Sequence, residues 1–329
     1  MAKEQTKKSI SDVLDNINKK YGKGTITNLS SNDKAFVKTI TSGSLSIDEA
    51  LGGGYAVGRI VEIFSDPSCG KSTLALHAIA ETQKKGGNVA YIDTEHAMDM
   101  KYAEKIGVNI DELLFTQPDS AEQALQILID LLNTMEFSLI VVDSIAAMTP
   151  EKIFEADAGE QTMALLARLM SIEIPKIVSK ANESECTVLF LNQTREKVGG
   201  FTGGISTPGG KAIPFYASQR IHLFKGQVAS ESGDAVANNS WCRVIKNKVA
   251  PPMKEANFTI RFGVGLDKMQ EVVDYAVKFD IIQKSGSWYA YGDTKLGQGS
   301  STVKNLLEDN PELLEEITLK LNENLYGVK

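Results

Sequence analysis

The apolar run from Arg59 to Ser65 leads straight into Asp66-Pro67-Ser68-Cys69-Gly70-Lys71-Ser72-Thr73, and a helical pattern follows to about residue 85. A strand that turns through small residues into a helix at Gly-Lys-Ser is suited to wrapping backbone N–H groups around a phosphate at the positive end of the helix. Such a turn belongs at the carboxyl edge of a buried strand, so the rest of the chain has to supply a sheet. The segments NVAYIDT, LLFTQ, SLIVVDSI (138–145) and CTVLFLNQ are strand-like. They alternate with helical stretches near 100, over AEQALQILIDLLNTM and over about 163–181. That alternation predicts an α/β core, a mostly parallel sheet covered on both faces. After residue 196, SQRIHLFKG, SWCRVIKNKV and ANFTIRFG predict antiparallel additions to the sheet. Helices at 269–279 and 311–325 around SWYAYG predict a small α+β lobe. The expected division is 1–34, 35–268 and 269–329.

The turn names its own chemistry. Ser65 to Thr73 would surround a triphosphate, with Lys71 as the cation on it and the Ser72 hydroxyl as a ligand for Mg²⁺. Ser65 stands where glycine is usual, and a serine tolerates positive φ poorly, so some distortion of the loop is expected. Asp143 ends SLIVVD one strand-helix-strand step further on, where a carboxylate can hold the magnesium through water. Glu95, in YIDTEH, is the expected general base for an attacking water. Asp93 is the alternative for that role, and helix capping the alternative for Glu95.

Charge sets a second constraint. With 35 basic and 42 acidic residues the formal charge is −7, so a polyanionic partner would have to meet a local basic surface. Three scattered cysteines offer neither a disulfide framework nor a zinc cluster. The N-terminal residues carry no apolar signal core, and a cytoplasmic location is the expectation. Ile10, Val13, Leu14 and Ile17 form one helical stripe followed by Gly22 and Gly24. An isolated stripe needs a partner, either the body of the chain or a second copy.

The segments TSGSLSIDEALGGG, GRIVEIF, YIDTEHAMD, QPDSAEQAL, LIVVDSIAAMTP, LNQTREKVG, TPGGKAIPFYASQRI, VIKNKVAPPMK, SWYAYGDTKLGQG and DNPELLEEI, in this order, closely resemble the bacterial RecA recombinase ATPases over nearly the whole chain. The resemblance implies a RecA-like P-loop core with an N-terminal polymerisation arm. It implies a helical filament of copies on single-stranded DNA, ATP held between subunits, pairing with double-stranded DNA and strand exchange. It assigns Asp99 and Tyr102 to adenine, and Gln193 to sensing the γ-phosphate. Lys246 and Lys248 would reach the phosphates from the neighbouring subunit, although spacing alone reads them as a solvated strand face. The helical stripe and Phe215 would lie in the subunit interface. A LexA-type repressor is a further implied partner, with a role in the SOS response.

Two DNA-binding loops are implied at about 155–163 and 194–210. Met163 and Arg168 are candidates from the first. Arg195, Lys197, Phe201, Gly209, Gly210 and Lys211 come from the second and its flanks, the glycines being expected to supply conformational freedom. Pro175 and Pro214 stand where the family commonly has basic residues, which marks a divergent relative, and a kink at Pro175 is a further expectation. The competing readings are a ring-forming DNA translocase of the same core, a P-loop kinase, for which no arginine lid is evident, and an ATP-binding DNA coat without turnover.

Overall fold

The computed structural model describes residues 9–22, 25–26, 37–155, 164–196, 205–231 and 233–326. The chain divides into two compact units, 1–38 and 39–329. In the first, α1 (Ile10–Tyr21) starts at a capping box in which Ser9 and Asp12 exchange hydrogen bonds. None of its residues is buried; Ile10 is 81% exposed, whereas Leu14 and Ile17 are half-buried, so among the described residues the apolar stripe is only partly covered. The strand-like TITNL falls mostly outside the described residues.

In the second unit, α2 (Leu45–Leu51) precedes β1 (Ile60–Ser65), α3 (Lys71–Lys84), β2 (Asn88–Asp93), α4 (Met100–Ile106), β3 (Leu113–Thr116) and α5 (Ala121–Thr134). Then come β4 (Phe137–Asp143), α6 (Leu165–Glu183), β5 (Thr187–Gln193), α7 (Ala212–Tyr216) and β6 (Gln219–Phe224). β7 (Asp234–Asn247), β8 (Glu255–Arg261) and β9 (Gly265–Leu266) complete the sheet, with a short strand, Val228–Glu231, paired to β7. Among the described residues the strand order is β9-β8-β7-β6-β1-β5-β4-β2-β3. The six strands from β6 to β3 run parallel, and β7, β8 and β9 extend them antiparallel; the predicted antiparallel additions hold for SWCRVIKNKV and ANFTIRFG, whereas SQRIHLFKG forms β6, which pairs parallel with β1.

The parallel strands are apolar on both sides because helices cover both. Leu74 and Ile79 of α3 pack with Val61, Ile63 and Leu189 on one face. Leu125 and Leu128 of α5 and Ile174 and Ile177 of α6 pack with Ile60, Ile140 and Val188 on the other. The helix α6 runs unbroken through Pro175, which forgoes one backbone donor. Thus every catalytic candidate at a strand end is carried on a rigid, doubly covered sheet.

The third core belongs to the C-terminal lobe: α8 (Lys268–Lys278), β10 (Gln283–Ser285), β11 (Trp288–Tyr291), β12 (Thr294–Gln298), α9 (Ser300–Asp309) and α10 (Pro311–Tyr326). Helix α9 and strands β10 and β12 exceed the expected two helices and one strand. Their segments are too short to carry a clear periodicity.

The lobe is fastened by Glu271 of α8, whose buried carboxylate accepts from Ser44 Oγ (2.7 Å), Leu45 N (2.8 Å) and Ser46 Oγ (2.9 Å) at the start of α2. Burial pushes its pKa up to about 7, against these hydrogen bonds. The folded value lies above the unfolded one, so its contribution is complete below about pH 4.5 and is lost as pH rises through about 7. Thermal unfolding should therefore show a fall in stability between about pH 5 and 7, of about 3 kcal/mol at most. Glu271→Gln should flatten that slope; an unchanged slope in the variant would assign it to other groups.

Candidate nucleotide site

β1 ends at Ser65, and the chain reverses through Ser68 (φ 60°) and Gly70 (φ 93°) into α3. The expected distortion at Ser65 does not occur, because the left-handed conformation is carried by Ser68 and Gly70 and Ser65 remains in the strand. Ser65 is instead fully buried, and its hydroxyl accepts from Lys71 Nζ (3.1 Å) while donating to Asp66 O (2.7 Å). Lys71 Nζ also donates to Asp66 O (3.1 Å), so the ammonium lies inside the turn. Burial lowers its pKa, and the carboxylates of Asp143, Glu95 and Asp66 oppose that shift. A Cβ at Gly70 would lie 2.3 Å from Ile260 Cδ1, so only glycine lets the loop seat against β8.

A cavity of about 520 Å³ opens over this turn. Pro67, Ser68, Cys69, Gly70, Lys71, Ser72 and Thr73 form its floor, and Glu95, Asp143 and Gln193 come from the ends of neighbouring strands. Tyr102 lines it as well, with its hydroxyl 3.1 Å from Thr73 Oγ1. Asp99 does not line it; its carboxylate caps α4 by accepting from Tyr102 N (3.0 Å). Asp66 also turns away, to accept from the hydroxyl of Thr194 just after Gln193.

The carboxylates divide by their partners. Asp93 accepts from Glu95 N, Ala97 N, Met98 N and the Gln117 amide, which commits it to shaping the turn after β2. Glu95 is exposed to the cavity, and its Oε1 accepts from Ser144 Oγ and from Gln193 Nε2 (3.1 Å). Asp143 accepts from Ser72 Oγ (2.6 Å) and Tyr91 Oη (2.7 Å). Burial raises its pKa, the Ser72 and Tyr91 hydrogen bonds oppose this, and Glu95 and Asp93 add to it. A hydroxyl and a carboxylate in contact, surrounded by further negative charge, are the hard oxygen donors that suit Mg²⁺.

Neither Lys246 nor Lys248 is among the residues lining the cavity. Lys246 Nζ donates to Pro214 O (2.7 Å) and Phe215 O (2.8 Å) near the end of α7. Burial, with Lys248 and Arg220 nearby, lowers its pKa. Phe215 itself is 68% exposed.

The wall opposite the phosphate loop is formed by Asn238, Ile260, Phe262 and Gly263, which the sequence does not single out. They lie on antiparallel strands far along the chain and match no motif. Of the DNA-loop candidates, Arg168, Arg195 and Lys211 are exposed, while Met163, Lys197 and Phe201 lie outside the described residues. Gly209 and Gly210 are closely packed in this structure rather than freely placed. Gly209 is buried at φ 85°, where a Cβ would come 3.0 Å from Ile145 Cγ2, and at Gly210 (φ 75°) it would come 2.7 Å from Ala167 Cβ. These glycines are there for close packing on α6. The long loop is also shorter in its irregular part than expected, since Arg195–Glu196 pairs with Ile205–Ser206.

Comparison with known proteins agrees over the whole length. The RecA N-terminal domain family matches residues 8–267 and the RecA C-terminal domain family residues 270–326. A Protein RecA of Latilactobacillus sakei is 45% identical over 330 residues, covering 100% of this chain and 93% of that protein. One from Porphyromonas gingivalis is 48% identical over 309 residues, covering 93% and 91%. A solved structure of the RadB recombinase is 21% identical and covers 69% of this chain and 98% of its own, with a TM-score of 0.53; it supports the fold. Among the described residues no helix is long and apolar enough to cross a membrane.

Proposed function

The chain belongs to the RecA family, and from that premise we propose that it is a DNA-dependent ATPase whose copies assemble on single-stranded DNA and carry out homologous pairing and strand exchange in recombination and repair. The observation that carries the catalytic half of this reading is the cavity over Ser65 to Thr73, where the Lys71 ammonium, the Ser72–Asp143 pair and the Glu95–Gln193 pair converge.

In this reading the backbone N–H groups of the turn and the start of α3 bind the phosphates, and Lys71 neutralises them. Ser72 and Asp143 would hold Mg²⁺, which when bound offsets phosphate charge and fixes its orientation. Glu95 orients the attacking water and takes its proton at the carboxylate. Gln193 donates to that same carboxylate and adjoins Thr194, which grips Asp66 of the loop. A change at the γ-phosphate therefore has a short covalent path into the segment after β5. Tyr102 is proposed to face the base, with Asp99 setting its helix.

Lys246 and Lys248 are proposed to act on the neighbouring subunit's phosphates, which fits their place outside their own chain's cavity. Two cations arriving with the neighbour would stabilise the charge that develops in the transition state. The stripe of α1 and the exposed Phe215 are the proposed contacts between copies. Arg168, Arg195, Lys197, Gly209, Gly210, Lys211, Met163 and Phe201 are the proposed DNA contacts, their cations few per copy and multiplied along a filament. The reading also places the protein in the cytoplasm, with LexA-type repressors as a further partner.

The test is phosphate release with and without a single-stranded oligonucleotide, alongside electron microscopy of the mixture. Turnover that rises at least about tenfold with DNA, on open helical filaments, is the expected result. Closed rings would favour a translocase, and ATP binding without turnover would favour a coat protein.

A further inference from the structure

The edge strand of the large sheet is held by a histidine on the phosphate-loop helix. β9 pairs with β8 through Ile260↔Leu266 and Arg261↔Gly265, and among the described residues no strand pairs with its other side. Leu266 is nevertheless buried, so its N–H needs an acceptor. That acceptor is His77 Nε2 at 2.8 Å. Two glycines make the approach possible: a Cβ at Gly265 would lie 2.5 Å from Nε2, and one at Gly43 would lie 2.9 Å from His77 Cβ.

The imidazole sits at the middle of a mechanical link. His77 is on α3, the helix that begins at Lys71. The turn between β8 and β9 carries Phe262 and Gly263, and β8 carries Ile260, so the held strand leads directly to the wall of the nucleotide cavity. Ile260 in turn rests against Gly70 of the phosphate loop. Apolar contact at Ile260 and the Leu266–His77 hydrogen bond join the wall to the phosphate loop and its helix, and two residues past β9 the Lys268–Glu81 ion pair (2.6 Å) ties the following segment to the same helix.

We infer that His77 is a positioning residue for nucleotide binding: its acceptor nitrogen fixes the β8–β9 turn, and with it the Ile260–Phe262–Gly263 wall, relative to the phosphate loop. Burial, reinforced by Lys268 and Lys84 and opposed by Glu81, lowers its pKa to about 3, so the ring is neutral and the acceptor is present at any working pH. With Nε2 accepting, the ring proton is on Nδ1, which is buried without a partner. Among the described residues nothing else fixes the ring by hydrogen bonding, and the Lys268–Glu81 pair lies beyond β9, so loss of the contact leaves the buried Leu266 N–H without its acceptor.

The inference rests on the nucleotide-site reading, and the experiment separates the two. The full-length chain without DNA is titrated with a fluorescent ADP analogue, and ATP turnover is measured with DNA. His77→Phe keeps the volume and removes the acceptor; His77→Gln reaches the position of Nε2 with an amide oxygen; His77→Asn places its amide one atom short. We expect Phe and Asn to weaken nucleotide binding and raise KM about tenfold with kcat within about twofold, and Gln to stay within about twofold of wild type in all three. A residue that merely fills the core would be replaced best by Phe and would lower kcat and KM effects without regard to the acceptor. Wild-type binding in His77→Phe, or equal weakening in Gln and Asn, would overturn the assignment. Should the Phe variant not fold, the Gln and Asn pair alone decides. If Lys71→Ala leaves analogue binding unchanged, the nucleotide-site reading fails and His77 is not the cause.

Discussion

Lys71→Ala is expected to cut DNA-stimulated ATP turnover by about 10³ and to weaken nucleotide binding with it. The side chain is the cation within the turn, bonded to Ser65 Oγ and Asp66 O, and it faces a cavity whose other charged groups, Glu95 and Asp143, are carboxylates. Removing it leaves a triphosphate to enter a site of its own sign, against burial that strengthens the repulsion. Ser65, which is buried, and Asp66, which is exposed, would lose their ammonium partner, yet the Ser65 hydroxyl keeps its bond to Asp66 O and the strand end is already fixed by β5 and β6, so folding should survive. The check is turnover and analogue binding side by side with a thermal melt. Retention of more than about a tenth of wild-type turnover by a folded variant would remove the lysine from the chemistry.

The second large effect concerns chains that complement one another. A Lys246→Ala/Lys248→Ala double variant should still bind nucleotide in its own cavity, since neither lysine lines it, but should lose turnover by about 10³ or more if those cations complete a neighbour's site. Glu95→Gln should be similarly inactive for a different reason. Mixed in equal amounts on DNA, the two should regain activity. Head-to-tail packing juxtaposes the intact Glu95 of one with the intact lysines of the other at about a quarter of random junctions. No recovery in mixed filaments seen by microscopy would mean that the lysines act within their own chain or not at all.

The parts of this molecule that could be read from the chain are those where chemistry and periodicity coincide. Gly70-Lys71-Ser72 follows a buried strand, Asp143 ends one, and both strand ends meet in the structure through the Ser72–Asp143 hydrogen bond. The sequence favours Glu95 over Asp93, although spacing alone leaves both open. Four hydrogen bonds engage Asp93 in the turn and leave Glu95 to face the cavity, which supports the preference for Glu95. The far wall is not legible in the chain because Asn238 and Ile260 are ordinary strand residues, and Phe262 an ordinary turn residue, until the antiparallel extension brings them over the loop. Gly209 and Gly210 read from the chain as sources of freedom, because glycine serves both freedom and close approach; the nearness of Ile145 and Ala167 shows the second. Asp99, Tyr102, the paired lysines and the interface came with the family resemblance, since their roles involve a ligand or a neighbour that one chain does not contain.

Lys246 lies against the carbonyls of Pro214 and Phe215 at the tip of the same short helix that exposes the Phe215 ring. Any contact that draws this ring toward another copy also disturbs the resting place of the ammonium. A solitary molecule would then be idle by construction, its charge holstered, and would become competent only in company. The cell would be spared futile hydrolysis by the free pool without a separate inhibitor.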